Sequence, residues 1–396
     1  MMDRIQTLIS RGVSIPAPNS IEIGHDVNPE RIAGGVVIHA GCKIFGETTS
    51  IGPGCVLGSE APATIDNCQL GTGVKLKGGF FSGAVFLDGS NMGSGSHVRS
   101  GTILEEQAKG AHTVGLKQTI LLPFVTLGSL INFCDVMMAG GRSREDHSEV
   151  GSSYIHFNYT PQQDKATASL IGDIPRGVML NQSPIFLGGQ GGLVGPVRVN
   201  YGCIIGAGVV CRKDVLTENQ LYMSAVPEFN GAMGPSVYKS IRRKTLNNLH
   251  YIGNLLALEA WYQNIRKPFM IIEDYSSACY EGALANLSSA IEERIKRMGA
   301  FVEKLERSVK YWEAQEQGAA LAADQKRLMG LWPEMAARIK ILREKGVAHP
   351  GRETVANSIN GSKYIDAVQA LDQPTREAGQ AWLETYVNEV VGLYTS

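Results

Sequence analysis

Two histidines stand in or beside two polar stretches of this chain, at residues 141–149 and 159–168. His147 lies inside the first stretch, GRSREDHSE, and His156 comes three residues before the second, YTPQQDKATA. Imidazole is the side chain best suited to proton transfer near neutral pH. Both histidines are therefore candidate general bases, and the alternative for either is a purely structural role.

Basic side chains bracket the same region, at Arg142, Arg144, Lys165 and Arg176. Guanidinium and ammonium groups are common protein ligands of phosphate oxygens. The cluster predicts an anion site, with a phosphate or a pyrophosphate as its occupant. The alternative is that these residues are solvated charges on exposed loops.

A six-residue spacing of aliphatic side chains identifies the element that must position these groups. Over residues 187–211 every sixth residue is Leu, Leu, Val, Ile and Cys, and from Phe80 to Leu104 every sixth residue is again apolar. Neither a helix nor an alternating strand repeats every six residues, whereas a β-solenoid of hexads does. The spacing predicts a triangular coil with aliphatic residues inside and glycines at its corners.

The composition changes after residue 235, because only ten of the 46 glycines lie beyond it. We therefore predict an N-terminal arm at residues 1–20 and a β-solenoid at 21–227, with the two polar stretches as ejected loops. An α-helical domain is predicted at 236–396.

Within the helical domain, apolar side chains alternate spacings of four and three from Ile291 to Trp312. Such a seam is typical of coiled-coil packing and predicts either contacts within the chain or a helical interface between copies. Further helices are predicted over residues 319–344 and 376–393. The segment GVAHPGRETVANSING, at 346–361, is expected to form a loop.

Charge and composition argue against several function classes. The net charge is −1, so no nucleic-acid partner is expected. No segment has the pattern of a signal peptide or the length of a membrane span, which predicts a cytoplasmic protein without membrane contact. The seven cysteines lack a CxxC pair and are expected to be reduced packing residues. No bound metal is expected.

The stretch from residue 154 to 215 resembles a known family. It carries YIHFNYTP, SLIGDIP, IFLGG, LVGPV and IGAGVVCRKDV in that order, and HVRSGTIL and KGAHTVG precede it. These motifs resemble those of the acetyltransferase half of the bifunctional N-acetylglucosamine-1-phosphate uridyltransferase / glucosamine-1-phosphate acetyltransferase. The resemblance implies a left-handed parallel β-helix, a homotrimer, and sites for acyl-CoA and a sugar phosphate between subunits.

The resemblance also implies roles for individual residues. Arg99 matches the arginine that holds the phosphate of the sugar, and Asn158 and Tyr159 match a pair that lines the pocket. Ala207 matches a small residue along the CoA arm. Gly189 is also expected to bind the cofactor. On position along the chain, Lys165 is expected to bind the substrate, and His156, the histidine nearest to the pocket, to act as the base in preference to His147.

Three departures from the family stand against a simple transfer of its activity. Ser129 occupies the position of the family's catalytic histidine, Leu121 that of a substrate lysine, and Ala225 that of an arginine near the end of the coil. A serine is no base near neutral pH without a partner. His112, in the KGAHTVG motif, is interpreted as a packing residue.

Two functions from different classes remain open. The first is acyl-CoA-dependent acyl transfer to a sugar nucleotide, such as a UDP-N-acetylglucosamine-like compound, or to a sugar phosphate. The alternative is a non-catalytic sugar-nucleotide-binding or scaffold protein that lacks the base. A metal-dependent enzyme built around His147 is a weaker hypothesis, because the eight histidines show no metal-ligand spacing.

Overall fold

The computed structural model describes residues 2–225, 230–231, 234–361 and 363–395. The domain end that the sequence places at 227 lies outside the described residues. The architecture is a parallel β-solenoid followed by a helical region, as predicted. Among the described residues, no helix combines the length and the apolar character that crossing a membrane requires.

In the described part of the chain, 26 short strands form the solenoid. They are β1 Glu22–Ile23, β2 Val37–Ile38, β3 Lys43–Phe45, β4 Ser50–Ile51, β5 Val56–Leu57, β6 Ala63–Asp66, β7 Gln69–Leu70, β8 Lys75–Leu76, β9 Gly79–Ser82, β10 Ala84–Phe86, β11 Asn91–Met92, β12 Ser96–Val98, β13 Thr102–Leu104, β14 Lys109–Gly110, β15 Gly115–Leu121, β16 Thr126–Leu127, β17 Asn132–Met138, β18 Glu149–Val150, β19 Ile155–Phe157, β20 Ser169–Ile171, β21 Phe186–Leu187, β22 Gly192–Val194, β23 Arg198–Val199, β24 Ile204–Ile205, β25 Val210–Cys211 and β26 Leu221–Tyr222.

The helices lie mostly after the solenoid. They are α1 Met2–Ser10, α2 Ile174–Gly177, α3 Arg242–Trp261, α4 Lys267–Met270, α5 Asp274–Glu303, α6 Leu305–Glu313, α7 Ala319–Lys345, α8 Pro350–Ser358, α9 Tyr364–Gln369 and α10 Gln373–Thr395. A π-helical turn at Tyr262–Arg266 joins α3 to α4, and two 3-10 turns occupy Pro18–Ser20 and Pro29–Arg31.

The strands stack in parallel on three faces of a prism. Face 1 contains β1, β3, β6, β9, β12, β19, β22 and β25, together with the first halves of β15 and β17. Face 2 contains β4, β7, β10, β13, β20 and β23, with the second halves of β15 and β17. Face 3 is a ten-stranded sheet that runs from β2 to β26.

Inward-facing aliphatic side chains fill the prism at the predicted interval. The residues at 187, 193, 199, 205 and 211 are all buried. Each coil lies on the next through parallel ladders, for example Leu193 beside Cys211 and Leu187 beside Ile205. Coverage by the coils above and below explains why most inward positions are apolar.

The inward position near the start of the second run is one residue later than predicted. Phe81 is fully buried, whereas Phe80 is 37% exposed and stacks on His97 with ring centroids 5.0 Å apart. Positive φ angles at Gly78 and Gly79 make a tighter corner before β9. The coil therefore uses five residues between inward positions there, and the phase of the repeat shifts.

This phase predicts different costs for two otherwise matched substitutions. Phe81→Leu leaves a void inside the prism and is expected to lower the free energy of unfolding by about 1–2 kcal/mol. Phe80→Leu removes only a surface ring and is expected to change it by less than about 0.5 kcal/mol. Urea denaturation of both variants measures the difference, and equal losses would contradict the buried position of Phe81.

The helical region covers face 2. Helix α5 packs on β4, β7, β10 and β13, where the Asn286 amide donates hydrogen bonds to two solenoid carbonyls, those of Gly83 and Thr102. Further along α5, Arg294 forms a buried ion pair with Asp135 of β17 at 3.0 Å. Faces 1 and 3 carry no such helical layer in the part of the chain described.

The seam that begins at Ile291 packs within the chain. Ile291, Met298 and Leu305 are fully buried in a core that is continuous with the rest of the helical region. The two possibilities that the sequence left open are therefore decided in favour of intramolecular packing. Within the seam, Lys304 separates α5 from α6.

The segment 346–361 was predicted to be a loop, and that prediction is wrong, because α8 occupies its centre. The His349 ring accepts a hydrogen bond from the Gly351 N–H, and Pro350 begins the helix. Proline is favoured in a first turn, where its missing N–H has no partner to lose. Val355 buries the helix against its neighbours.

Candidate functional site

Basic and polar side chains line the open wall of face 1. Arg99 follows β12, and the parallel register places it beside Lys117 of β15, which in turn lies beside Cys134 of β17. Alternate residues of a strand point to the same side, so these three side chains point outward while Val98 points into the prism. The stacking of successive coils thus lines up three residues that are far apart in sequence.

A groove of about 420 Å³ lies on this wall. Its lining includes His97, Arg99, Asn132 and Cys134, with Leu130 and Thr113 at the border with face 3. The ring of His97 is nearly parallel to that of Phe80, at an interplanar angle of 28°, and forms a flat surface on the wall. The groove is thus part aromatic and part cationic, a combination suited to a polar ligand with a ring and a negative charge.

Burial and four charged residues act on the Cys134 thiol at the groove. Burial raises the pKa of the Cys134 thiol, and Asp135 raises it further. The charges of Arg99, Lys117 and Lys165 act in the opposite direction. Cys134 therefore lies within electrostatic range of three cations, a setting that favours an anion over a neutral ligand.

The loop at 159–168 borders this wall and is anchored from its centre. The Asp164 carboxylate is fully buried, accepts a hydrogen bond from Tyr238 at 2.9 Å and pairs with Lys244 at 2.9 Å. On either side of this anchor, Tyr159 is 64% exposed and Lys165 is half-buried. The loop therefore presents these two predicted binding residues from a fixed base.

Asn158 lies where β19 leaves the wall, and its main chain is held in place. Its carbonyl accepts a hydrogen bond from the Thr167 hydroxyl at 3.2 Å, which closes the base of the loop. Its side chain is half-buried beside the exposed Tyr159. The predicted pair therefore remains adjacent to the groove region, at the junction of wall and loop.

The two residues predicted to bind the cofactor lie on one edge of the prism, between faces 3 and 1. The Gly208 N–H donates to the Gly189 carbonyl at 2.9 Å, which stacks the corner of Ala207 on that of Gly189. One coil earlier, Ser152 accepts a hydrogen bond at its carbonyl from Gln190. The side chains along this edge are small, so an extended chain has room to lie on it.

The same edge leads to Ser129 and His112. The Ser129 N–H donates to the Ser152 hydroxyl at 3.2 Å, so these corners lie on adjacent coils. The Ser129 hydroxyl is 2.8 Å from Nδ1 of His112, which lies on the preceding coil. The sequence interpretation treated His112 as packing, but its side chain is exposed. The partner that a reactive serine would require is therefore present.

His156, the preferred candidate base, points into the prism and is only 3% exposed. Its Nδ1 lies 2.6 Å from the Cys134 carbonyl, which can only accept, so Nδ1 carries the proton. Its Nε2 then accepts from the Ser169 hydroxyl at 2.8 Å, and the Ser169 oxygen in turn accepts from the Val197 N–H. Both ring nitrogens are thus used inside the solenoid, which argues against contact with a substrate.

This buried ring predicts an acid-dependent loss of stability. Burial lowers the pKa of His156 from its usual value near 6.5 to about 4, against the opposing effect of Asp135. Between these values the unfolded chain binds a proton that the folded chain does not, so stability falls as the pH falls from 6.5 to 4. The loss from this one group is expected to be about 3 kcal/mol.

The measurement compares unfolding of the wild type and His156→Gln across that pH range. Glutamine offers one donor and one acceptor to the same partners but does not titrate. We expect the variant to lose less stability on acidification, whereas His25→Gln, a change at an exposed position, should follow the wild type. Parallel curves for all three proteins would contradict a neutral buried His156.

His147 lies on a different edge of the prism from the groove. Its loop leaves the solenoid between β17 on face 2 and β18 on face 3, and pairs back through Gly141. Burial lowers the pKa of His147, and the charge of Arg144 lowers it further. Its position does not bring it to the wall that carries Asn158 and Arg99.

The predicted anion-binding arginines are mostly used within the protein. Arg142 pairs with Asp146, and Arg144 donates to the carbonyls of Gln107 and Phe124. Arg176 pairs with Asp173 and Glu218. Of the four basic residues only Lys165 acts on the groove, so the predicted cluster does not form one site.

The sequence interpretation missed His97, which lines the groove, and Lys117, which lies beside Cys134 on the same wall. The signal was present, because His97 and Arg99 are two residues apart in a strand and must share a face. Lys117 also supplies a cation to the wall, whereas Leu121, at the position of the family's lysine, is fully buried on face 2. Finding it required the register between coils.

No group of three or more His, Cys, Asp or Glu side chains within the described part of the chain could hold a metal ion. All seven cysteines are free, and six of them are buried, as expected for packing residues. Cys134 is the exception, with partial exposure at the groove. The site is therefore built from basic, aromatic and hydroxyl side chains.

The curated relatives of this chain include the Bifunctional protein GlmU of several bacteria. The Bifunctional protein GlmU of Acinetobacter baumannii (strain AYE) is 28% identical over 219 residues, 54% of this chain and 42% of the relative. GlmU of Thermotoga petrophila is 28% identical over 215 residues, with 54% and 43% coverage. The chain thus spans less than half the length of these relatives.

No family model matches the chain. The solved structure of UDP-N-acetylglucosamine acyltransferase from Campylobacter jejuni aligns with 52% of this chain and 67% of that one, at 14% identity and a TM-score of 0.19. That score is too low to support an argument. On the motifs, the parallel solenoid and the curated relatives, the chain resembles the hexapeptide-repeat acyltransferases over about half of its length.

Proposed function

We propose that this protein transfers an acyl group from an acyl-CoA to a sugar nucleotide or a sugar phosphate. The observation that carries the proposal is the groove on face 1, where Arg99 lies beside Lys117 and near an aromatic surface, and where the charge of Lys165 also acts on Cys134. Phosphate oxygens satisfy such cations, and a sugar ring or base can lie against the His97–Phe80 stack.

The acyl donor is placed along the edge between faces 3 and 1. Gly189 and Ala207 stack there and lead through Ser152 to Ser129 at the border of the groove. A thioester at the end of an extended CoA arm would then reach the acceptor from the side. Binding of the acceptor by its phosphate and of the donor by its arm supplies the orientation that acyl transfer requires.

The test is a coupled assay with acetyl-CoA and a panel of amino-sugar phosphates, UDP-amino-sugars and their hydroxyl analogues. Release of free thiol that depends on both substrates is expected, with phosphate-bearing acceptors preferred over the free sugars. Calorimetry with each substrate alone accompanies the assay. Absence of both turnover and CoA binding at millimolar concentration contradicts the proposal.

A second candidate function is sugar-nucleotide binding without catalysis. The observation that favours it is Ser129 at the position of the family's histidine, with a buried Leu121 in place of its lysine. A ligand that binds the folded state alone raises its melting temperature. Stabilisation by UDP-sugars without any thiol release would therefore select this function over transfer.

A homotrimer is the proposed assembly. Face 2 is covered by helices, but face 1 exposes Ile155 and Phe157, and face 3 exposes Phe186 and Ile204, each between 40% and 45%. Apolar ladders on two adjacent open faces fit contact between neighbouring prisms. Light scattering is expected to give three times the chain mass, and a monomer at micromolar concentration would contradict the assembly.

The free cysteines fit a reducing compartment, and we place the reaction in the cytoplasm. Localisation of a tagged protein by fractionation tests this placement. Recovery from an oxidising compartment with intact disulfides would contradict it.

A further inference from the structure

The hydrogen bond between Ser129 and His112 joins two coils of the solenoid at the border of the groove. The Ser129 hydroxyl and Nδ1 of His112 are 2.8 Å apart, a distance typical of a strong hydrogen bond. Their chain neighbours Leu130 and Thr113 line the groove itself. The pair therefore stands where the edge proposed for the acyl donor meets the wall proposed for the acceptor.

We infer that His112 and Ser129 act together as the proton-accepting pair of this site, an inference that rests on the proposed acyl transfer. Attack of an acceptor amine or hydroxyl on a thioester requires removal of one proton. A serine hydroxyl alone cannot take it, but a serine hydrogen-bonded to an imidazole can pass it on. His112 would thus supply the basicity that Ser129 lacks.

The step balances in protons and electron pairs. The acceptor's nitrogen or oxygen forms a bond to the thioester carbonyl carbon, whose π pair moves onto the carbonyl oxygen and returns when the C–S bond breaks, and the acceptor's proton passes to the Ser129 oxygen. Ser129 passes its own proton to Nδ1 of His112. The C–S bond then breaks, and the thiolate of CoA receives the proton back from His112 through Ser129. No oxidant, reductant or metal takes part.

Local structure holds the pair in place without using its reactive atoms. The Ser129 N–H donates to the Ser152 hydroxyl at 3.2 Å, and the Ser129 carbonyl accepts from the Ser153 N–H at 2.8 Å. The His112 carbonyl accepts from the Leu130 N–H at 3.1 Å. Backbone bonds thus fix both corners, while the hydroxyl and the ring stay on the surface.

The other histidines near the site are less suited to this role. His156 uses both ring nitrogens inside the prism. His147 lies on another edge. His97 does line the groove, but its ring stacks on Phe80 and forms the flat wall. Of these, only His112 contacts a hydroxyl that lies at both the edge and the groove.

The experiment measures kcat and KM for the wild type, His112→Ala, Ser129→Ala and the double variant. Each single change is expected to lower kcat by about 100- to 10,000-fold with KM nearly unchanged, and the double variant should be no worse than either. Imidazole added to the buffer should restore part of kcat in His112→Ala but not in Ser129→Ala. His25→Ala, an exposed histidine near the N-terminal end of the solenoid, is the control.

Three results distinguish failure of the His112–Ser129 pair from failure of the proposed acyl transfer. If the wild type transfers and His112→Ala keeps its kcat, the pair is overturned while the proposed function stands. If His97→Ala loses kcat and His112→Ala does not, His97 is the base and the pair is again overturned. If the wild type binds substrates but never transfers, the proposed acyl transfer fails, and the inference fails with it.

Discussion

Arg99→Ala is expected to raise KM for a phosphate-bearing acceptor by roughly 10- to 100-fold and to leave kcat nearly unchanged. Arg99 is exposed, lines the groove and lies beside Lys117. A hydrogen bond to a charged phosphate is worth about 1.5–3 kcal/mol, which sets this range. A change in KM alone identifies binding that the ground state and the transition state share.

Arg99→Lys is the matched control for this experiment. Lysine keeps the charge but loses the planar fork that can contact two phosphate oxygens, so an intermediate KM is expected. An acceptor without phosphate should show the same KM with all three proteins. Equal KM values for wild type and Arg99→Ala with a phosphorylated acceptor would exclude Arg99 from the acceptor site.

Lys244→Met is expected to lower the free energy of unfolding by about 3–5 kcal/mol, because it leaves a buried carboxylate without its cation. The Asp164 side chain is fully buried, and Lys244 Nζ lies 3.0 and 2.9 Å from its two oxygens. Tyr238 and Thr160 also donate to this carboxylate. Two neutral hydrogen bonds cannot replace the lost charge.

The double variant Asp164→Asn/Lys244→Met separates charge from packing. It removes both charges, so its stability should lie closer to that of the wild type than Lys244→Met does. Thermal unfolding of the wild type, Asp164→Asn, Lys244→Met and the double variant gives the coupling energy of the pair. Additive losses in the two single variants and the double variant would show that the pair contributes no coupling.

The same pair predicts a response to acid. Burial raises the pKa of Asp164, but Lys244 and hydrogen bonds from Tyr238 and Thr160 outweigh it, so that the pKa is lower than usual. The stability from this group is therefore present above the usual Asp pKa near 3.8 and is lost as the pH falls through the lower folded value. The double variant should lack this contribution.

Loss of the Asp164–Lys244 ion pair is expected to affect function as well as stability. Asp164 fixes the centre of the loop that carries Tyr159 and Lys165. Once Lys244 is replaced, the loop loses its main attachment to the helical region, and acceptor KM is expected to rise. This would show that the helical layer on face 2 supports a site on face 1.

Much of the fold could be predicted from spacing alone. A residue's inward or outward direction depends on its neighbours within one hexad, and inward positions are mostly apolar because coils cover them on both sides. The error at Phe80 shows the limit of this reasoning. With the tight corner at Gly78 and Gly79, Phe81 rather than Phe80 points inward, whereas the predicted inward positions from Phe86 onward are buried.

The candidate site was predicted only in part. Arg99 and the pair Asn158–Tyr159 came from motifs, and the structure places them on or beside one wall. Among the histidines, His156 was preferred because it lies nearest to the predicted pocket along the chain. That criterion cannot distinguish a side chain that points into the prism from one that points out of it. A shift of one residue along the strand moves a side chain from one side to the other.

The sequence by itself determined the solenoid, its change to helices after residue 235, and the polar character of its loops. The tertiary structure decided which side chains are neighbours across coils, such as Ser129 with His112 and Asp164 with Lys244. The physical reason is that hexad spacing constrains direction locally. Adjacency depends on the exact length of each coil and on how the helical region docks, and neither is encoded in any short stretch of sequence.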